Sequence, residues 1–390
     1  MTDAASLADD DLPLSGLVVV SLEQAIAAPY CTRLLADQGA RVIKVERPDG
    51  GDFARHYDGR VHGEASHFVW CNRSKESFAL DLKAAGAVDT LKRLIGKADV
   101  FVQNLAPGAA AKLGLGPEAL AALNPRLVTC SISGYGEDGP YGGRKAYDLL
   151  IQAETGFLSV TGTPEAVAKS GISIADICAG VTAYHLILAA LLKRGRTGKG
   201  DHVEVSMLEA MADWMGFPMY YAYDGAPPPM RSGAGHATIY PYGPFQAADG
   251  TILFGLQNDR EWAAFAEIVL ERPEMAADPR FRGNAGRLAH RDEIEPVIRE
   301  ALGGLKVGEA MARLARAGIG MAEVRDMAGL WAHPQLAARG RWGEIVVAGR
   351  PVQALKPVSG RGWQPAFGPV PALGEHTERI LAEIAAMPEV

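Results

Sequence analysis

Apolar positions in the first two hundred residues fall into short blocks of two kinds. Gly16–Leu22 (GLVVVSL), Arg41–Glu46 (RVIKVE), Asp99–Asn104 (DVFVQN) and Arg126–Ser133 (RLVTCSIS) are compact runs rich in β-branched residues. Such runs predict strands buried on both faces. Between them, Ala28–Gln38 and Ala85–Ile95 carry apolar residues at helical spacing, with Pro29 suited to a first turn and Gly39 just past the end. Strands separated by helical stretches of about 10–15 residues predict a parallel sheet with right-handed crossovers. Ala175–Lys193 is apolar almost all round, which predicts a buried helix.

The pattern changes near Asp224. The stretch DGAPPPMRSGAGHATIYPYGPF is dense in proline and glycine and reads as a linker or a shaped loop. A hairpin is expected over Tyr242–Leu256, turning at Asp249–Gly250, followed by helices from Glu261, Arg291 and Val307. This is a smaller α+β domain ending near Gly329. The tail holds a strand-like EIVVAG, more proline and glycine, and a helix over Glu375–Ala386. It is too short to stand alone and is expected to return to the first domain. The expected organisation is a large Rossmann-like α/β domain over residues 1–210, a linker over 211–232, a small domain over 233–329, and a linker and returning segment over 330–390.

With 390 residues, 48% hydrophobic and 22% charged, the composition suits a soluble globular chain and excludes a fibrous or largely disordered one. A net charge of −7 gives no support for nucleic-acid binding, so an anionic ligand would need a local cationic cluster. Cys31, Cys71, Cys130 and Cys178 are scattered among small or apolar neighbours, which predicts free core thiols, no metal site and a reduced, cytoplasmic compartment. No uninterrupted apolar run reaches the roughly 18 residues of a membrane span. The acidic opening MTDAASLADDDLP lacks the basic and apolar blocks of a secretion signal. No membrane or nucleic-acid partner is expected.

Familiar motifs are missing: no GxGxxG follows the first strand, and there is no P-loop, HExxH or GxSxG. That excludes the usual dinucleotide-dependent dehydrogenase. Five places carry candidate chemistry. AAPYCTRLL opens a helix after the first strand, where backbone N–H groups could meet an anion. VIKVERP places Lys44 and Arg47 at the end of a strand, and QNLAPGAAAKLGL places Asn104 and Lys112 beyond another. Ligands of open α/β sheets sit beyond such strand ends. SGYGEDGPYGGRKAYD is a turn-rich loop ending in Lys145, Tyr147 and Asp148. Finally, SGISIADICAG puts Asp176 inside an apolar run at a helix start. A carboxylate there either caps the helix or reacts. The GAGH loop, with Gly233, Gly235 and His236, is by itself a plain turn.

Together these segments resemble the family III CoA-transferases, which include formyl-CoA:oxalate, carnitine and succinate–hydroxymethylglutarate CoA-transferases and share their fold with α-methylacyl-CoA racemases. The likeness runs from AAPYC through VIKVERP and GGD, NRSKESFALDLK, DVFVQNLAPGAAAKLGL, SISGYGEDGP, IADICAG and GAGH to LGEHTERIL. It implies that Asp176 is a nucleophile that attacks the donor thioester to form a mixed anhydride. CoA thiolate then converts this to an enzyme thioester, the acceptor carboxylate attacks in turn, and CoA returns to complete the new thioester. At its reference pKa of about 3.9 the nucleophile would be ionised without a helper base. A dry pocket would keep water from the acyl intermediates. Backbone N–H groups of Gly233 and Gly235 would stabilise the thioester oxygen.

The resemblance further implies that Ala27, Arg47, Leu80, Leu82, Asn104, Lys112 and Lys145 contact CoA. Leu105 and Lys112 stand where the family often has an aromatic residue and Arg. CoA thioester enters as substrate, and no permanently bound cofactor is implied. Racemases carry His in place of Tyr147, and a phenol with a pKa near 10 is a poor base near neutrality, so Tyr147 favours transfer. The segments GAGHATIYPYGPF and PALGEHTERIL look like the branch that uses dicarboxylic acids. SLEQAIAAPYC and GDFARHYDG suggest the mesaconyl-CoA type, in which CoA moves between two carboxylates of one molecule. Arg55, His56, His236 and Tyr240 are candidates for a distal carboxylate. The family resemblance also implies an interlocked homodimer with linkers near Asp224 and Arg339. Two alternatives remain: an acyl-CoA racemase or epimerase, and a non-catalytic CoA-ester binder.

Overall fold

The computed structural model describes residues 12–387, so the acidic opening segment lies largely outside the described residues. The chain divides into two units. The first comprises residues up to Thr155, Ser170–Gly216 and the chain from Leu336 onward; the second comprises Gly156–Lys169 and Phe217–Gln335.

The first unit is built on a six-stranded sheet: β1 (Val18–Leu22), β2 (Arg41–Glu46), β3 (Lys75–Ala79), β4 (Val100–Gln103), β5 (Val128–Ser133) and β6 (Asp201–Ser206). The order is β3-β2-β1-β4-β5-β6 and every pairing is parallel. This is the doubly wound arrangement, whose strand order reverses between β1 and β4. β3 and β6 were not legible as strands. They are the two sheet edges, and the polar residues of KESFA and DHVEVS interrupt the apolar run that marks a central strand. The edge at β3 is covered by the returning tail. The Ser77 N–H donates to His376 Nδ1 at 3.2 Å and the Ala79 N–H donates to Thr377 Oγ1 at 2.9 Å, while His376 N–H donates to the Ser77 carbonyl.

Helix α1 (Ala27–Asp37) follows β1, and α2 (Ile174–Thr197) packs against it and against β5 and β6. Gly180 permits that approach, because a Cβ there would lie 2.7 Å from the Ala27 carbonyl oxygen. The expectation that this long helix is buried holds for one stripe only. Ala179, Ala183, Ile187 and Ala190 are buried, whereas Leu192 is 72% exposed. Although no unbroken apolar run stands out in the sequence, α2 averages apolar enough and is long enough to cross a membrane by composition. Here its buried stripe serves the packing on α1 and the sheet.

The second unit holds an antiparallel sheet of β7 (Tyr242–Ala247), β8 (Gly250–Gly255) and β9 (Gly320–Glu323), covered by helices that include Arg291–Gly303 and Val307–Arg316. Its core gathers Phe254, Trp262, Phe265, Ile294, Ile298 and Leu314. Back in the first unit, β10 (Trp342–Val347) and β11 (Arg350–Leu355) form a hairpin, and α3 (Thr377–Ala386) places Ile380 and Ile384 on the main sheet core.

Candidate active site

A parallel sheet lines up the carboxyl ends of its strands. The order 3-2-1-4 therefore sets four expected contact positions in a row: Leu80 and Leu82 after β3, Arg47 after β2, Ala27 after β1 and Asn104 after β4. At about 4.8 Å per strand the row spans roughly 14 Å. Leu80 and Leu82 are half-buried and pack on the sheet core with Leu105. Arg47 is exposed, as are Lys112 and Lys145 on later loops. Asn104 has structural work of its own. Its side chain accepts from the Gln24 N–H and donates to the Gln24 carbonyl, both at 2.9 Å, and so ties β1 to β4 where the strand order reverses.

Not every basic residue of this edge is free to meet a ligand. Lys44, expected at a strand end, is fully buried, 2.7 Å from Asp52 and 3.4 Å from Glu23. A charge flanked by valine and isoleucine on a central strand has to be paired, and that was the signal available in the sequence. Arg55 is likewise committed. It donates from Nε and Nη2 to the two oxygens of Glu46, reaches the Pro371 carbonyl and lies 3.7 Å from the Phe68 ring centre. Burial pushes the Glu46 carboxyl up, but Arg55 and Lys44 outweigh it and hold the carboxyl at about 2. Arg55 is therefore no free partner for a substrate carboxylate. His56 is exposed, with Nε2 2.9 Å from the Gly50 carbonyl oxygen.

Asp176 is the third residue of α2 and is half-buried. It does not cap the helix. One free N–H of its first turn is met from outside the helix by Asp148, whose Oδ1 accepts the Ala175 N–H at 2.8 Å while its Oδ2 accepts from Gln152 at 2.7 Å. Among the described residues no hydrogen-bond partner meets the Asp176 carboxyl. Loss of water, and then the negative charge of Asp148, push its pKa up to about 7. The expectation of an ordinary, fully ionised aspartate is thus corrected. Tyr57, which pattern reading missed, belongs to the same neighbourhood: its hydroxyl pKa is raised by burial, then by Asp52, Asp176 and Tyr147. Tyr147 itself is 66% exposed. Its exposure and proximity suit a group that meets a ligand more than a packed aromatic.

In the second unit, the Gly233 N–H donates to the Gly162 carbonyl at 2.7 Å and the Gly235 N–H to the Ser232 carbonyl at 3.1 Å. Neither donor is available to a thioester oxygen until these bonds are released, which corrects the simple reading of a preformed donor loop. His236 is held by the loop as well: Nδ1 accepts from the Thr238 and Ile239 N–H groups, and the ring stacks on Tyr242 at 5.3 Å. Tyr240 is a core residue, 3% exposed, with its backbone tied to Asn284 and Arg287. It is not placed to hold a substrate carboxylate. Among the described residues no group of three His, Cys, Asp or Glu side chains gathers as a metal site, and all four cysteines are free and buried.

The comparisons with known proteins agree on one family. Residues 14–377 match the model of CoA-transferase family III. An acetyl-CoA:oxalate CoA-transferase from Acetobacter aceti is 34% identical over 87% of this chain and 89% of its own. A succinyl-CoA:mesaconate CoA-transferase from Haloarcula hispanica is 33% identical over 95% of this chain and 96% of its own. The crystal structure of a CAIB/BAIF family protein from Brucella suis superposes with a TM-score of 0.85 at 33% identity, covering 96% of this chain and 99% of that one. With the family model matched over residues 14–377 and curated relatives above 30% identity along most of their length, the chain belongs to CoA-transferase family III and is a CoA-transferase.

Proposed function

We propose that the enzyme moves CoA between dicarboxylic acids through covalent intermediates on Asp176, with succinyl-CoA and mesaconate as the first pair to test. The Asp176 carboxylate adds to the donor thioester carbonyl and expels CoA thiolate, leaving a mixed anhydride. The thiolate attacks the aspartyl carbonyl of that anhydride, releasing the donor acid and leaving an Asp176–CoA thioester. The acceptor carboxylate displaces the thiolate to form a second anhydride. Thiolate attack on the acceptor's carbonyl then frees Asp176 and the new CoA thioester. Bonds and charge balance at each step, and no oxidant, metal or resident cofactor enters.

One observation carries the reading: among the described residues the Asp176 carboxyl has no hydrogen-bond partner, and beside a second carboxylate its pKa is raised to about 7 by burial and by Asp148. A carboxylate stripped of water and donors is a stronger nucleophile than a hydrated one, and its higher proton affinity points the same way. Ala27, Arg47, Leu80, Leu82 and Asn104 would line the CoA path along the strand ends, with Lys112 and Lys145 adding positive charge to a chain of net charge −7. The donor role of Gly233 and Gly235 requires the loop to release the Gly162 and Ser232 carbonyls. We also take the enzyme to be a cytoplasmic homodimer.

The test supplies succinyl-CoA together with mesaconate and follows mesaconyl-CoA by mass spectrometry. Formation by the wild type and loss in Asp176→Asn are expected. Absence of transfer to mesaconate and to a panel of other dicarboxylates would overturn the reading. So would solvent deuterium entering the α-carbon of an acyl-CoA without any acceptor, which is the signature of a racemase.

A further inference from the structure

Beneath the turn between β1 and α1 lies a group of four charges that the steps above do not use. Glu23 Oε1 is 2.7 Å from Lys75 Nζ and 3.4 Å from Lys44 Nζ, and Lys44 Nζ is 2.7 Å from Asp52 Oδ2. All four side chains are fully buried, and their charges sum to zero. Thr32 donates to Glu23 Oε2 at 2.6 Å, and Lys75 also reaches the Pro29 carbonyl and Asn72. Burying such a quartet contributes little net stability, because desolvation offsets most of the attraction and well-packed apolar side chains serve as well or better. Its presence calls for a use other than stability.

The free oxygen of the quartet shows that use. Asp52 Oδ1 accepts the N–H of Ala25 at 3.0 Å and that of Ala54 at 2.9 Å. Ala25 has φ +62, a left-handed conformation that an alanine adopts at a cost of about 1–2 kcal/mol. The neighbouring Gln24 is fixed from three sides: Asn104 holds its N–H and its carbonyl, and its Oε1 accepts the Phe53 N–H at 3.2 Å. Strain of this kind persists only where the surroundings over-determine it. Here the over-determined turn lies between Asn104 and Ala27, at the strand-order reversal where an open α/β sheet receives its ligand.

We infer that Asp52 is a positioning residue: braced by Lys44, and through it by Glu23 and Lys75, it holds the left-handed turn at Ala25 in the conformation that receives the CoA thioester. The inference rests on the reading of the strand ends as the CoA site. Lys44 enters as a brace and not as a ligand, since its ammonium is spent on Glu23 and Asp52. The arrangement pre-organises the turn before the ligand arrives, so its loss should appear in CoA affinity and not in the chemical step.

The test uses free coenzyme A as probe and the double variant Asp52→Ala/Lys44→Met, which removes one anion and one cation together and leaves no uncompensated buried charge. Calorimetry should show CoA binding weakened 10–100-fold while the thermal midpoint stays close to that of the wild type. The KM for the CoA thioester should rise in parallel, and kcat at saturating donor should stay within about threefold. A pair that serves folding alone would leave the CoA Kd unchanged in the folded variant, and that result overturns the inference. If the double variant does not fold, amide exchange in the wild type decides: the Ala25 N–H should exchange at least 100-fold slower than an unprotected amide. Exchange at the unprotected rate would overturn the inference irrespective of CoA. A wild type that binds no CoA would instead bring down the functional reading on which the inference stands.

Discussion

Two groups of carboxylates in the first unit meet burial in opposite ways. At the β1–β3 ends, Glu23 and Glu46 are enclosed, yet cations outweigh the loss of water and both titrate below the ordinary carboxylate range. At the head of α2, Asp176 is less enclosed, but among the described residues no cation offsets the loss of water and Asp148 stands nearby, so burial and repulsion act together and raise its pKa to about 7. The lesson concerns counter-ions. Burial with a partner makes an acid inert and structural, whereas burial against a like charge leaves it poised to react.

The largest effect expected from breaking this contrast falls on the unpaired side. Asp176→Asn should lower turnover by about 10⁴-fold or more while CoA-ester affinity stays within a few-fold, because the nucleophile is removed and its volume kept. On the paired side, Glu23→Gln should leave Lys75 buried without its closest anion and cost about 3–5 kcal/mol, read from the urea midpoint. Pairing it with Lys75→Met should recover most of that loss. If Glu23→Gln alone proves neutral, the quartet is not the coupled unit described here.

Smaller effects follow from the pKa of Asp176. Its folded-state value lies above its unfolded one, so the folded state holds the proton more tightly and stability falls as pH rises between about 4 and 7. Asp176→Asn removes that dependence and should gain on the wild type by about 1–3 kcal/mol between pH 5 and pH 8, the full linkage being reduced for partial exposure. Activity should rise through the same interval in kcat/KM for the donor. Asp148→Asn, which keeps an acceptor for the Ala175 N–H, should move that rise to lower pH. The least effect belongs to Tyr240→Phe. Among the described residues the buried hydroxyl has no hydrogen-bond partner, so its removal should be neutral or stabilise by up to about 1 kcal/mol with the acid KM unchanged.

Much of the fold was legible because the four central strands are short runs rich in β-branched residues and the linking helices are amphipathic. The two edge strands were not, since Glu76, Asp201 and Glu204 keep contact with solvent and break the apolar pattern, and Lys75 is buried only through its pairing with Glu23. The same limit governed the site. Asp176 stood out as an acid in an apolar run, and strand ends marked Arg47 and Asn104, whereas Ala27, Leu80 and Leu82 came from the family resemblance alone. Which charges cancel is a matter of tertiary distance: Lys44, Arg55 and Lys145 look alike in sequence, yet the first two are neutralised by Asp52 and Glu46 and the third is exposed. The engaged N–H groups of Gly233 and Gly235 depend on carbonyls, which leave no mark on side-chain pattern.

The central claim is covalent, and trapping tests it most directly. Enzyme mixed with succinyl-CoA and quenched with hydroxylamine or borohydride should carry the resulting modification on the peptide containing Asp176, and the mark should be lost in Asp176→Asn. Active enzyme whose Asp176 peptide stays unmodified throughout turnover, or a mark of equal yield on another acid, would contradict the account.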